Sequence, residues 1–300
     1  MKNAAALLCF LAICDLGLLA QAETATQNVH RSPAAAGYKY AALNFPGASS
    51  TLAYAINNSG EIVGYYTGAG CSQSECGFTD IKGKFATIEC ALENSTELFD
   101  ISNNGEIAGA YSYYGGVHGF TFEGNSACFD IVDSSGPAYT EAWGVNNSGE
   151  VVGFYIDAGN DYQGFSYRNG SYTTISCPGW TNTRAYGIND AGEIVGDVSN
   201  STAGPFSAFS YKSGKCSTFN YPNASSTFAR GVNKSGQISG FYENSSSVYN
   251  GFVKTGSSYQ SLDYPDSTAT LAYHLNDQGQ VAGFYSDAAG THGFDATPKK

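Results

Sequence analysis

The sequence predicts an all-β fold, a six-bladed β-propeller of four-stranded antiparallel blades. Three observations predict it: a phrase that recurs six times in near-constant register, four strand-sized segments in each copy, and a fourth-strand phrase displaced to the front of the chain. The phrase is Ile56-Asn57-Asn58-Ser59-Gly60-Glu61-Ile62-Val63-Gly64, with relatives at 101–109, 145–153, 188–196, 232–240 and 275–283. Its first glycines fall at 60, 105, 149, 192, 236 and 279, so the copies are 43–45 residues apart. A second mark follows each: Gly77-Phe78, Gly119-Phe120, Gly164-Phe165, Ala208-Phe209, Gly251-Phe252 and Gly293-Phe294. Helical solenoids have similar periods, but their 3.6-residue apolar spacing is missing.

Each copy divides into four strands. In the third, strand one is 141–146, Asn147-Ser148-Gly149 turns the chain, strand two is 150–155 and strand three 164–167. Arg168-Asn169-Gly170 makes the second hairpin and strand four is 171–177. Val151, Val152, Phe154 and Tyr155 carry the β propensity. Gly149 sits where a tight hairpin needs positive φ, which glycine adopts at least steric cost. Four strands in about 44 residues fit a propeller blade. The last copy stops after its third strand, whereas Tyr38–Phe45 followed by Pro46 matches the fourth-strand phrase at 259–264 followed by Pro265. The N-terminal strand is therefore expected to complete the last blade, which removes a dangling edge.

Ahead of the propeller (38–296), residues 1–22 read as a signal peptide, with Lys2, the apolar run Ala4–Ile13 and the small-x-small site Ala20-Gln21-Ala22. Residues 23–37 read as a flexible leader. Ile13 is a poor fit before a lipidated Cys14, and nothing later is long enough for a membrane span. A secreted protein is expected, extracellular or periplasmic, and monomeric. Forty-two aromatics (22 Tyr, 18 Phe, 2 Trp) with only 13% charged residues exclude a disordered chain. A net charge of −12 argues against nucleic acid and anionic membrane as partners.

Six cysteines follow the signal. In the predicted blade, Cys71, Cys76 and Cys90 come close together, so one bridge is expected among them. Cys128, Cys177 and Cys216 fall in different blades and are expected to be unpaired, buried and apolar.

The Asn-x-x-Gly-x-Ile/Val-x-Gly phrase followed by His-Gly-Phe, complete at His118-Gly119-Phe120 and His292-Gly293-Phe294, resembles the bacterial extracellular repeats called the HAF family. The first triplet position departs to Cys76, Gln163, Ser207 and Asn250. The resemblance covers 38–296 and implies a secreted bacterial protein with a propeller-like fold. It implies no catalytic residues.

No cofactor or metal is expected. The Asn-rich turns offer too few carboxylates for calcium, and turn chemistry explains Asn and Gly. His118 and His292 occupy equivalent repeat positions, and no zinc spacing occurs. The informative positions are those where copies disagree. At one site on the first strands stand Ala55, Asp100, Gly144, Gly187, Gly231 and His274, of which Asp100 and His274 break a small-residue rule. One step earlier stand Tyr54, Phe99, Trp143, Tyr186, Arg230 and Tyr273. Two steps before that come Leu52, Glu97, Glu141, Arg184, Phe228 and Leu271. Aromatics with a few charges at a concave mouth suit a sugar or peptide ligand, with packing between blades as the competing account of the aromatics. The charges are expected nearer a solvated mouth, since unpaired charges are seldom buried. The candidate ligand residues are thus Tyr54, Glu97, Asp100, Glu141, Trp143, Arg184, Tyr186, Arg230, Tyr273 and His274. They point to a non-enzymatic secreted propeller that binds a glycan or an extracellular protein at its channel mouth. One alternative is a polysaccharide hydrolase or lyase using Glu97, Glu141, Asp100 and His274. Another is a structural surface or matrix protein without a small ligand.

Overall fold

A computed structural model describes residues 37–90, 94–124, 128–131 and 139–299. The signal segment and nearly all of the leader lie outside these residues. Six four-stranded antiparallel sheets are arranged as a β-propeller. Five blades use four consecutive strands; the third blade runs Thr140–Val145, Val151–Ile156, Tyr162–Arg168 and Ser171–Ile175. The sixth takes Ala269–Leu275, Val281–Asp287 and Gly290–Pro298, and its outer strand is Tyr38–Leu43. Tyr38 pairs with Pro298 and Leu43 with Gly293. The strand order places the one–two and three–four ends of every blade on one face of the disc, here called the turn face.

In every blade the first strand carries a bulge. The register slips by one residue at Tyr54, Phe99, Trp143, Tyr186 and Arg230, and within Tyr273–His274 in the sixth blade. A bulge re-aims side chains, and these are the ones that meet around the axis. It also explains the strand glycine. A Cβ on Gly64, Gly109, Gly153, Gly196, Gly240 or Gly283 would collide with the carbonyl oxygen of the first strand beside the bulge. The turn glycine is different: Gly149 has φ +70° and little around it. Gly153→Ala is therefore expected to lower stability by about 3 kcal/mol or more, because backbone must move. Gly149→Ala should cost only about 1 kcal/mol, through dihedral strain. Urea unfolding of both variants checks the order, and equal losses would refute the collision.

The blades pack through the second mark. Phe78, Phe120, Phe165, Phe209, Phe252 and Phe294 are 0–1% exposed, each in or beside the layer between neighbouring sheets. Gly119 and Gly293 abut the alanines Ala142 and Ala53 of the next first strand, and at this position the fourth blade carries nothing larger than Ala208.

Among the described residues, a further contact joins an outer strand to the next blade at five junctions. The residue two places past the outer strand's last inner pairing meets the start of the following blade's outer strand. At three junctions both residues are aromatic: Phe45 with Phe85 (5.4 Å between centroids), Tyr221 with Tyr259 (5.1 Å) and Tyr264 with Tyr40 (5.5 Å). At two junctions both are cysteines: Cys90 bonds Cys128 and Cys177 bonds Cys216, with Cα atoms 5.8 and 5.3 Å apart. The expectation that Cys128, Cys177 and Cys216 are unpaired is corrected here. The chain leaving an outer strand must cross the flank of the next blade to reach the axis, and this carries a cysteine of one blade onto the outer strand of the next. The remaining bridge, Cys71–Cys76, lies within the first blade. The same crossing is held by a threonine of the next blade, whose Oγ1 accepts the N–H of Phe45, Cys90, Tyr221 or Tyr264 at 2.9–3.1 Å (Thr51, Thr96, Thr227, Thr270).

Candidate binding site

The structure brings the ten candidate residues together around the axis, but not at an open mouth. All ten are only 0–6% exposed. Phe99 stacks on Trp143 (3.9 Å), Tyr54 meets Tyr273 edge-on (4.5 Å), Trp143 meets Tyr186 (4.7 Å), and the Arg230 guanidinium lies 3.7 Å from the Tyr186 centroid. With six blades the axis is narrow enough for these side chains to fill it.

The charges expected at a mouth are buried too, and the reason is pairing. Asp197, 1% exposed, accepts from Arg184 Nε (2.8 Å) and from Arg230 Nη1 (2.9 Å). Burial alone would lower the Arg230 pKa; Tyr186, Asp197 and Tyr273 around it outweigh that and raise it. Glu141 accepts from the Tyr139 hydroxyl and Trp143 Nε1. With Glu97 and Glu141 each 4% exposed, this pair does not face a polysaccharide, and the glycosidic reading loses its carboxylates. Asp197 was visible in the sequence as a lone acid directly across from Arg184, at a place where other blades have Tyr65, Phe154, Phe241 and Phe284.

Asp100 and His274 behave differently. They come from the second and sixth blades, yet His274 Nδ1 lies 3.1 Å from Asp100 Oδ1. Ala55 of the intervening first blade leaves room for the contact. On the other side Asp100 Oδ2 reaches over Gly144 to the N–H of Val145 (2.9 Å). Asp100, held by the Val145 N–H, thus fixes the orientation of the imidazole. His274 Nε2 has no protein partner among the described residues. Both residues help line a small open depression on the turn face, together with the asparagine turns.

The rest of that depression is built by the repeat itself. Asn57 Oδ1 accepts the N–H groups of Ser59 and Glu61 (3.0 Å each), which forms the turn. Its Nδ2 donates to the carbonyl of Ser102 in the next blade (3.3 Å). Asn146, Asn189, Asn233 and Asn276 repeat that donation to Asn189, Asn233, Asn276 and Asn57 at 3.0–3.3 Å. An outer ring surrounds this one: the N–H groups of Asn58, Asn103, Asn147, Lys234 and Asp277 donate to Asn103, Asn147, Asp190, Asp277 and Asn58. Turn chemistry did not reveal these rings. The signal was nonetheless present. The inner position both donates and accepts, and it is Asn in five copies with Ser102 the sixth. The outer position needs only an acceptor oxygen, and there Asn and Asp interchange. Lys234 cannot accept, and it interrupts the outer ring. It pairs instead with Asp277 (3.3 Å). Burial opposes the ionised form of Asp277, but hydrogen bonds from Asn58 and Lys234 outweigh it and lower its pKa.

Charge is sorted by face. Among the described residues, every Lys and Arg except the buried Arg184 and Arg230 lies on the turn face. Lys82, Lys84, Arg168, Lys212, Lys215 and Lys254 flank the rim hairpins, Lys39 and Lys299 stand at the equivalent place in the sixth blade, and Lys234 is in the outer ring. Between rim and depression runs an acidic belt of Glu61, Glu106, Glu150 and Glu193. The opposite face carries Glu89, Asp157, Asp161, Glu243, Asp266 and Asp287 and no described Lys or Arg.

No protein-family model matches the chain, and no curated protein does. Solved structures do. A putative TolB from Agrobacterium tumefaciens is similar with a TM-score of 0.58 and 9% identity, over 77% of this chain and 89% of that one. AofleA from Arthrobotrys oligospora gives 0.54 and 13%, over 88% of each chain. A mutant of the Aleuria aurantia lectin in complex with Fucα1-6GlcNAc gives 0.51 and 11%, over 85% of this chain and 93% of that one. At these identities the likeness is one of fold. Three disulfides fit an oxidising compartment. No helix among the described residues is long and apolar enough to cross a membrane.

Proposed function

We propose that the chain is a secreted, non-catalytic binding propeller of the HAF repeat type, and that it takes a glycan at the axial depression of the turn face. The observation that carries this reading is the Asp100–His274 pair beneath the asparagine rings. It is the one place where the first strands abandon small residues at that level, and it underlies an opening rather than the filled axis. Amides, carboxylates and a lysine in one concave surface suit a ligand rich in hydroxyl groups, which needs several donors and acceptors at once. One lectin among the structural neighbours is in complex with Fucα1-6GlcNAc, which favours a glycan over a protein partner.

A glycan array probed with wild type and with the double variant Asp190→Ala/Lys234→Ala tests the site. Both residues are on the exposed outer ring, so the fold should survive. Wild-type signals on a defined set of glycans should fall at least ten-fold in the variant. Signals that persist unchanged would move the site elsewhere, and no wild-type signal on any glycan would overturn the reading.

A further inference from the structure

We infer that the glycan recognised by the turn face is a flexible anionic polysaccharide, one bearing carboxylate or sulfate groups, which follows the ring of rim cations. The inference rests on the proposed binding role of this face and adds the chemical class of its ligand.

Both faces of the disc are made of turns, so turn preference alone sorts Asn, Asp and Gly onto both. It does not sort the sign of charge. Yet the described Lys and Arg side chains outside the core are all on one face, in a protein whose net charge is −12. Protection of outer-strand edges, a usual task of lysine, does not account for this either, because such lysines would appear along the strands and at both ends. Here Lys84 and Lys215 are the first residues of their outer strands, at the hairpin end. The acidic opposite face repels polyanions, so the field along the axis turns the cationic rim toward them.

The pattern also limits the shape of the ligand. Rim cations occupy the third, fourth, fifth, sixth and first blades in succession, while the second blade has Glu123 at its hairpin. The acidic belt lies inside this open arc. A broad rigid polyanion, such as duplex nucleic acid or a lipid surface, would have to cover the belt. A single flexible chain can run along the arc and place one sugar over the axial depression.

The test uses the full mature protein on columns of polygalacturonate, dextran sulfate and uncharged dextran, and with phosphatidylglycerol vesicles. The variant is Lys82→Glu/Lys84→Glu/Arg168→Glu/Lys215→Glu, with Asp266→Lys on the opposite face as control. Thermal melts of both establish that they are folded. Wild type and control should be retained on at least one anionic column at low salt and released as salt screens the contacts. The four-fold variant should bind at least ten-fold more weakly. Wild type that ignores both polyanions, or a folded variant retained as well as wild type, would overturn the inference. Stronger binding to the vesicles than to either polysaccharide would overturn it as well. If the array still detects neutral glycans in any of these cases, the binding role stands and only the anionic class fails.

Discussion

Asp197→Asn is expected to lower the unfolding free energy by about 3–5 kcal/mol, the range seen when one partner of a buried ion pair is removed. The shape is conserved and one acceptor oxygen remains, so the loss measures charge. Two guanidiniums, Arg184 at 6% and Arg230 at 3% exposure, would be left in a box of Tyr162, Tyr186, Phe206, Phe228 and Phe241. Stacking on aromatic faces contributes about 2 kcal/mol at best when desolvated, less than the cost of burying an uncompensated cation. Urea denaturation with a constant m-value would report the difference. Asp190→Asn, at an exposed ring position, should change stability by less than about 1 kcal/mol. A loss for Asp197→Asn as small as that would show that Glu97 and Glu141, in the same axial layer, carry the charge balance instead.

The second large effect concerns the bridges. Removing Cys90–Cys128 or Cys177–Cys216 by paired alanine substitution is expected to cost about 3–4 kcal/mol each, from the 38- and 39-residue separations they span. Removing Cys71–Cys76, which spans 5 residues, should cost about 2 kcal/mol. Both long bridges together then account for about 6–8 kcal/mol, comparable with the whole stability of a typical domain. The chain should accordingly fail to accumulate folded under reducing conditions and fold under oxidising ones. Melts of the three paired variants under oxidising conditions check the ranking. A larger loss from Cys71–Cys76 than from either long bridge would contradict the loop-entropy argument. The aromatic pairs at equivalent junctions contribute less, about 0.5–1.5 kcal/mol beyond area burial, so the two bridged junctions hold most firmly.

The fold was legible because a propeller repeats its reasons. Each copy had to show a positive-φ turn glycine, a crowded strand glycine and a packing phenylalanine, and six repetitions of those marks leave little freedom. The closure was legible because the sixth copy lacks a fourth strand and Tyr38–Leu43 matches the fourth-strand phrase. The site was legible in part. Asp100 and His274 were conspicuous as departures from small residues, and they meet. The other charges were placed at a mouth because pairing across blades is not visible within one copy: Arg230 is neutralised by an acid of the preceding blade. The bridges failed for the same reason. Cys90 and Cys128 look distant when blades are compared one by one, and become equivalent to Phe45 and Phe85 only when the end of one copy is aligned with the outer strand of the next. The asparagine rings were hidden because turn chemistry already explained Asn, and a sufficient local cause concealed a second one.

The closing strand has a consequence for the order of events in synthesis. Tyr38–Leu43 is made before every residue it pairs with, and its partner Gly290–Pro298 emerges only after the strands of the other five blades. Five blades can form from consecutive hairpins while the chain is still being delivered, each pairing strands close in sequence and therefore quickly. The ring itself cannot close until the final strand arrives, and the earliest segment must stay unpaired until then. Completion is thus a single late event that joins the first and last strands of the propeller, and a molecule truncated at any blade is left with an open ring.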